Sequence, residues 1–504
     1  MKRIVALISA TLLMLSLLPV PALADESPIP THTNHDDWIR WTNAATLPSE
    51  DGRYVLMNDI EMSAPIVLED KNITLCLNGK TVKQVGTGDY ERFYRINGST
   101  AVAICDCTAH VDETGKYVAG VMTGATNSAF LFDADSSATL TLYDGILTGN
   151  SAAAGGCIVV QGKSYFNMYG GEISDNHARN GNGGGIYASA SSTVAILGGT
   201  ISGNTATKAE GVSRGGGLFT SAGSCSLQDV VISGNSADQG AGVYVNNGTT
   251  NVDDGTAIID NVASIDGGGI RIANQDSTHD PVLLMQNGRI AGNTADTGGA
   301  LCMGTGSEAK LIGGTITGNT ALTGVGGILA AGTLVLGNVT ITENVGGMAG
   351  GVHFLQGTVK FDGSPVIVDN TLTDGTACNL LYEAQDGGSL SLLGIGSGTK
   401  IGVTLAAGLP GITATGANDD NAAYFFSDNV EGKVWYATAN GFELGMMPEA
   451  TEPPATQPTT EATEPTDEEP DDEEHTPGSP WVWAAVAVAV AGAMATALAV
   501  KKKK

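Results

Sequence analysis

Short runs of alternating apolar and polar residues recur along most of the chain. Val194, Ile196 and Ile201 carry one such run, and a period of two places them on one face of short strands. No window sustains a helical period of 3.6. The runs end in a common marker, an aliphatic residue a few positions before an Asn, as in Ile173-Ser174-Asp175-Asn176 and Ile201-Ser202-Gly203-Asn204. These markers close at Asn150, Asn176, Asn204, Asn235, Asn261, Asn293, Asn319, Asn344 and Asn370, with spacings of 26, 28, 31, 26, 32, 26, 25 and 26 residues. A second marker follows, a glycine pair and then an aliphatic residue: Gly184-Gly185-Ile186, Gly216-Gly217-Leu218, Gly268-Gly269-Ile270, Gly326-Gly327-Ile328 and Gly350-Gly351-Val352.

A unit of this length is too small to bury its own apolar face, so it must stack on its neighbours. Three short strands and their turns make one coil of a parallel β-helix, in which inward side chains form ladders. Asn is expected at a turn, because it tolerates the left-handed conformation and bonds to its own backbone; stacked Asn side chains can also bond along a ladder. The glycines are expected to supply positive φ where the chain re-enters the next strand. The segment between the two markers varies from Ser236–Gln239 to the stretch from Thr205 to Arg214, as a solvent-facing loop would. Propeller blades need longer units, and leucine-rich repeats need a Leu frame that is absent here.

The ends read differently. Lys2 and Arg3 precede an apolar run from Ile4 to Leu18 and then Ala22-Leu23-Ala24, the layout of a signal peptide. From Glu449 to Pro480 the chain is rich in Thr, Pro, Glu and Asp and has no Lys or Arg, which predicts an extended linker. Trp481 to Val500 is uncharged and long enough, at about 30 Å as a helix, to span a bilayer core. Lys501 to Lys504 would hold the C-terminus on the cytoplasmic side. No L-P-x-T-G precedes the span, so a retained anchor is expected over wall attachment.

Composition narrows the picture. The 504 residues include 70 Gly and only 5 % aromatics, so small and β-branched side chains do most of the packing. The formal charge of −29 leaves nothing to neutralise phosphates and excludes nucleic acid as a partner. The seven cysteines contain no C-x-x-C; Cys76 with Cys105 or Cys107 is the one pairing to consider, since a single coil separates them.

Three stretches resemble a group of Firmicutes-type cell-surface proteins with right-handed parallel β-helix, pectin-lyase-like repeats: His35-Asp36-Asp37-Trp38 through Thr42 with Asn72 to Lys80, Phe166 to Asn176, and Lys400 to Thr404 with Tyr424 to Asn429. The repeat is also similar to that of chlamydial polymorphic membrane proteins. The resemblance covers roughly residues 32 to 447 and implies architecture and a surface setting; the fold itself hosts enzymes and adhesins alike. The expected fold class is therefore all-β: a right-handed parallel β-helix solenoid of about 14 coils, with a disordered acidic linker and one C-terminal transmembrane helix. Its expected parts are a signal peptide (1–24), an N-terminal cap (25–65), the β-helix with its C-terminal cap (66–447), the linker (448–480), the span (481–500) and a basic tail (501–504).

Enzymatic constellations do not assemble in the sequence. Asp253-Asp254, Arg271-Ile272-Ala273 and Asn293-Thr294-Ala295-Asp296 fall in the wrong order for a polygalacturonase, and no G-H-G is present. The seven histidines lie too far apart for a recognisable metal motif. No catalytic residue, metal or cofactor is expected. Counting from each Asn, Arg179, Lys208, Asp238, Asp266 and Asp296 would line one edge of the stack and form a groove for a glycan or protein. The expected function is non-enzymatic adhesion or ligand binding at the cell surface, with an extracellular glycan or a host or neighbouring surface protein as partner. The alternative is a surface-anchored polysaccharide lyase or glycoside hydrolase.

Overall fold

The structure is a computed structural model that describes residues 35–189, 191–221, 223–273, 280–383, 389–429 and 434–445. The signal peptide, linker, span and tail expected at the two ends lie outside these residues. Among the described residues, no helix is long and apolar enough to cross a membrane.

The fold is nearly all-β, and its strands join into one 41-stranded sheet, one of nine short strands and one two-stranded antiparallel ribbon, His110–Val111 with Tyr117–Val118; pairing in the body is otherwise parallel. The coil around Asn176 shows the plan. It contains the strands Tyr165–Met168, Glu172–Ser174, His177–Ala178 and Ile186–Ala188. Each pairs in parallel with its counterpart one coil later, with Phe166 beside Val194, Ile173 beside Ile201, Ala178 beside Ala206 and Ile186 beside Leu218. This stacking of like on like is consistent with a parallel β-helix. It explains the period: every inward residue meets an inward residue about 26 positions on.

Val194, Ile196 and Ile201 are buried, and they belong to one apolar core that runs from Leu47 to Phe442. Full burial of each such side chain contributes about 1.5–3 kcal/mol. The short ladder after Asn adds a lateral alanine seam of Ala178, Ala206 and Ala237.

Stacking begins earlier than the sequence suggested. Ile39–Trp41 pairs with Gly52–Leu56, which pairs with Asn72–Cys76, so part of the expected N-terminal cap is already coil. The reason is the alternation of Tyr54 and Leu56, both buried, which continues the inward face. At the other end, Gly411–Thr415 takes Gly441–Gly445 as an antiparallel neighbour, and Val434–Thr438 completes a hairpin on it. The reversal closes the edge of the parallel ladder. Trp38 and Trp435 are buried near the two ends.

The asparagines bond along a ladder as expected, but the positive φ angles fall beside the markers and not at them. At all nine sites the left-handed residue is the one before the Asn: Gly149, Asp175, Gly203, Gly234, Asp260, Gly292, Gly318, Glu343 and Asp369, with φ between 52° and 65°. Likewise φ is positive at Gly183 and Gly215, just ahead of the glycine pairs and not within them. The pairs are small because the next coil is close. A Cβ on Gly216 would lie 2.6 Å from the Ala241 carbonyl oxygen, and one on Gly217 would lie 3.1 Å from Asn235 Nδ2. The glycine marker of one coil thus makes room for the asparagine of the next. Ala241 and Ala300 occupy equivalent places elsewhere, so single coils can open by one methyl.

Candidate functional site

The asparagines form a continuous buried column. From Asn176 on, each side-chain oxygen accepts two hydrogen bonds from the previous coil, one from the Asn backbone N–H and one from its amide: Asn235 Oδ1 takes Asn204 N at 2.9 Å and Asn204 Nδ2 at 3.0 Å. Each amide also donates to a carbonyl one coil back, as Asn235 Nδ2 does to Ile201 at 3.0 Å. The backbone donor fixes which end of the amide is oxygen. Every polar atom of these side chains is satisfied, which is why so many can be fully buried.

The loop edge begins directly after this column. Ala178 pairs with Ala206, Ala237 with Ala263 and Ala295 with Ala321. One position on, the edge therefore reads Arg179, Thr207, Asp238, Ser264, Asp296 and Leu322. Arg179, Asp238 and Asp296 share this register position. Lys208 lies one residue beyond. Asp266 does not belong to it: a register shift between Ala237 and Gln239 pairs it with Gln239, and its side chain is buried.

Most of these charges are engaged within the fold. Arg179 donates to the Thr126 carbonyl at 2.9 Å. Asp238 accepts from Ser213 N and Oγ, both at 2.9 Å, and from Ser264 Oγ at 2.6 Å, which ties the longest loop to the next coil. Burial alone would raise the Asp238 pKa, but the bonds from Ser264 and Ser213 outweigh it and hold the carboxyl below its ordinary value. Lys208 and Asp296 have exposed side chains.

Asp266 instead enters a polar cluster that the sequence reading missed. It meets Arg271 Nε at 3.0 Å and accepts from Gln239 Nε2 at 3.1 Å. Burial raises its pKa, and Arg271 leads the groups that partly offset this. Arg271 also donates to the carbonyls of Ile272 and Cys302. In register above it stands an outward aromatic stack: Tyr187 on Phe219 at 5.1 Å, and Phe219 on Tyr244 at 5.4 Å. The Arg214 guanidinium lies 5.6 Å from the Tyr244 ring centroid. Phe219 and Tyr244 are buried, and Arg214, at the end of the long loop, lies over the Tyr244 ring. The signal for it was present in the sequence as Tyr187, Phe219, Tyr244 and Arg271, each just after the first aliphatic residue that follows the glycines.

Comparison with protein-family models, curated proteins and solved structures finds no match.

Proposed function

We propose that this chain is a non-enzymatic cell-surface protein of the Firmicutes β-helix type. In this reading a right-handed parallel β-helix of about 14 coils is exported by the signal peptide, raised on the acidic linker and held by the helix over 481–500. Right-handed winding is what strand crossovers in parallel sheets adopt. The coils act as a rigid display rod that binds an extracellular glycan or a surface protein.

One observation carries this reading. Inward positions repeat from coil to coil, whereas the edge after the asparagine column changes at every rung: Arg179, Thr207, Asp238, Ser264, Asp296 and Leu322. A solenoid with a constant interior and a varied edge is built to present side chains along a line. The rival lyase or hydrolase reading needs a solvent-accessible cluster of acids around a Lys or Arg. The Asp266, Arg271 and Arg214 cluster has the groups, but Asp266 is only 8 % exposed and is ion-paired to Arg271 of the next strand.

The test is a glycan array with the purified ectodomain, scored for both binding and cleavage. Binding without release of unsaturated or reducing ends supports the proposal, and such release above a heat-killed control overturns it. Protease added to intact, wall-stripped cells should release the coils and leave a small membrane stub.

A further inference from the structure

We infer that His35, Cys76 and Cys107 form a binding site for a soft, thiophilic metal ion of the zinc type at the N-terminal end of the stack. The ligand atoms of these three side chains lie within 4.8 Å of one another. They come from three separate parts of the chain. His35 opens the first described turn, where its carbonyl accepts from Trp38 N at 3.0 Å. Cys76 ends the strand Asn72–Cys76, and Cys107 follows the strand Ala101–Cys105 one coil later.

The two sides of the site are held in place. On the imidazole side, His35 packs edge-on against Trp38 at 5.2 Å, and the Arg53 guanidinium covers Trp38 at 4.7 Å. Trp38 in turn is buried against Val55, Cys76 and Cys105. On the thiol side, the turn from Cys105 to Cys107 is fixed by Asp106, which accepts from Gly79 N, Thr108 N, Thr108 Oγ1 and Gly120 N. That preorganisation matters, because a site assembled from loose segments would lose affinity to ordering entropy.

The donor set selects the ion. Two thiolates and an imidazole favour zinc or another soft ion over calcium or magnesium, which take oxygen ligands. A tetrahedral zinc site with bonds of about 2.3 Å to sulfur and about 2.0 Å to nitrogen needs only small rotations from these separations. Each thiol gives up its proton to solvent and keeps its electron pair for the metal. Two thiolates then cancel the two charges of the ion, with neutral imidazole as the third ligand. Cys107 is exposed, which gives the ion a route in; its thiol donates to Asn78 Oδ1 at 3.5 Å, a bond that metal binding would replace. A disulfide would use two sulfurs; the converging imidazole is what a metal requires in addition.

The full-length protein, reduced and stripped of metal, is titrated with cobalt(II) and then zinc(II). The expected result is one cobalt per chain with a thiolate-to-cobalt charge-transfer band, displaced by zinc, and a higher Tm with zinc bound. Cys107→Ser and His35→Ala should each weaken zinc binding by more than about tenfold. His110→Ala, an exposed histidine in the neighbouring turn, should leave it unchanged. The inference is overturned if stoichiometric cobalt gives no charge-transfer band, or if Cys107→Ser keeps the band. It is also overturned if thiol counting and peptide mapping on protein isolated without reductant show Cys76 joined to Cys105 or to Cys107 as a disulfide. Matching metal-free Tm values for the parent and the Cys107→Ser chain confirm that the comparison is between folded proteins.

Discussion

Asp428 terminates the asparagine column by accepting both donors of Asn379, the backbone N–H at 2.8 Å and the side-chain amide at 2.7 Å. Asn379 itself accepts from Asn370 N and Nδ2, both at 2.9 Å. A carboxylate fits the last position because it has oxygens on both sides and needs no further acceptor. At the opposite end, Asn150 Oδ1 accepts a backbone N–H from Ala125 at 3.0 Å, so no amide is needed there.

Asp428→Asn should therefore destabilise the protein, since Asn offers one oxygen where Asn379 and Thr404 present three donors. The expected cost is about 1–3 kcal/mol, the usual range for leaving a buried donor without an acceptor. Chemical unfolding measures it; an unchanged midpoint would remove Asp428 from its assigned role.

In the middle of the column the requirement is reversed. Asn235→Ala strands the two Asn204 donors and the Ile201 carbonyl, and should cost about 3 kcal/mol or more. Asn235→Asp still accepts the two Asn204 donors, but it loses the donations to the Ile201 carbonyl and Asn261 Oδ1 and buries a charge, so it should also destabilise. Thermal unfolding of both variants tests this, and a stable aspartate variant would contradict the bonding pattern.

Gly216→Ala should cost about 1–3 kcal/mol through overpacking, because its Cβ meets backbone atoms of Ser236 and Ala241. The same exchange at Gly211, in the exposed loop, instead meets the flexible Lys208 side chain, but there φ of 96° adds backbone strain. The two variants separate by hydrogen exchange: Gly216→Ala should loosen amides in both neighbouring coils, and Gly211→Ala only those of its loop.

Ile201→Asp should destabilise by several kcal/mol, since it places an unpaired charge in a fully buried ladder. Lys208→Ala, on the exposed edge, should stay within about 0.5 kcal/mol of the parent. Equal thermal shifts for the pair would refute the inward and outward assignment.

Asp238 gives a pH signature. Its folded-state pKa lies below the ordinary 3.8, so its contribution is complete above that value and is lost as pH falls through the folded-state pKa. The Tm advantage of the parent over Asp238→Asn should be steady from neutral pH to about pH 5 and shrink on further acidification. A constant difference down to strongly acid pH would show that the Ser213 and Ser264 bonds do not favour the ionised form.

The inward face was legible in the sequence because its residues stack on copies of themselves, so Ile173, Ile201 and Ile232 repeat what a single position requires. The edge was only partly legible. Arg179, Asp238 and Asp296 could be aligned by counting from the asparagine, but Asp266 could not, because backbone pairing follows the register shift at Gln239 and not residue number. The glycine pairs were visible for the wrong reason: their cause is the approach of the next coil, which no local rule about φ reveals. Asp428 and the convergence of His35 with Cys76 and Cys107 depend on contacts across coils at spacings the repeat does not contain.

The asparagine column also has a direction. Every Asn-to-Asn bond runs the same way, from an amide nitrogen to the side-chain oxygen of the next coil, so these bonds align along the stack and polarise one another. The positive end meets the Asp428 carboxylate, much as an acidic side chain settles the N-terminus of a helix. A polar line of identical links can gain or lose a whole link without a gap, provided its two ends stay where they are. The number of rungs in the column is therefore free to drift by entire coils, as duplication or deletion of a repeat would produce, while Ala125 and Asp428 remain as its fixed start and stop.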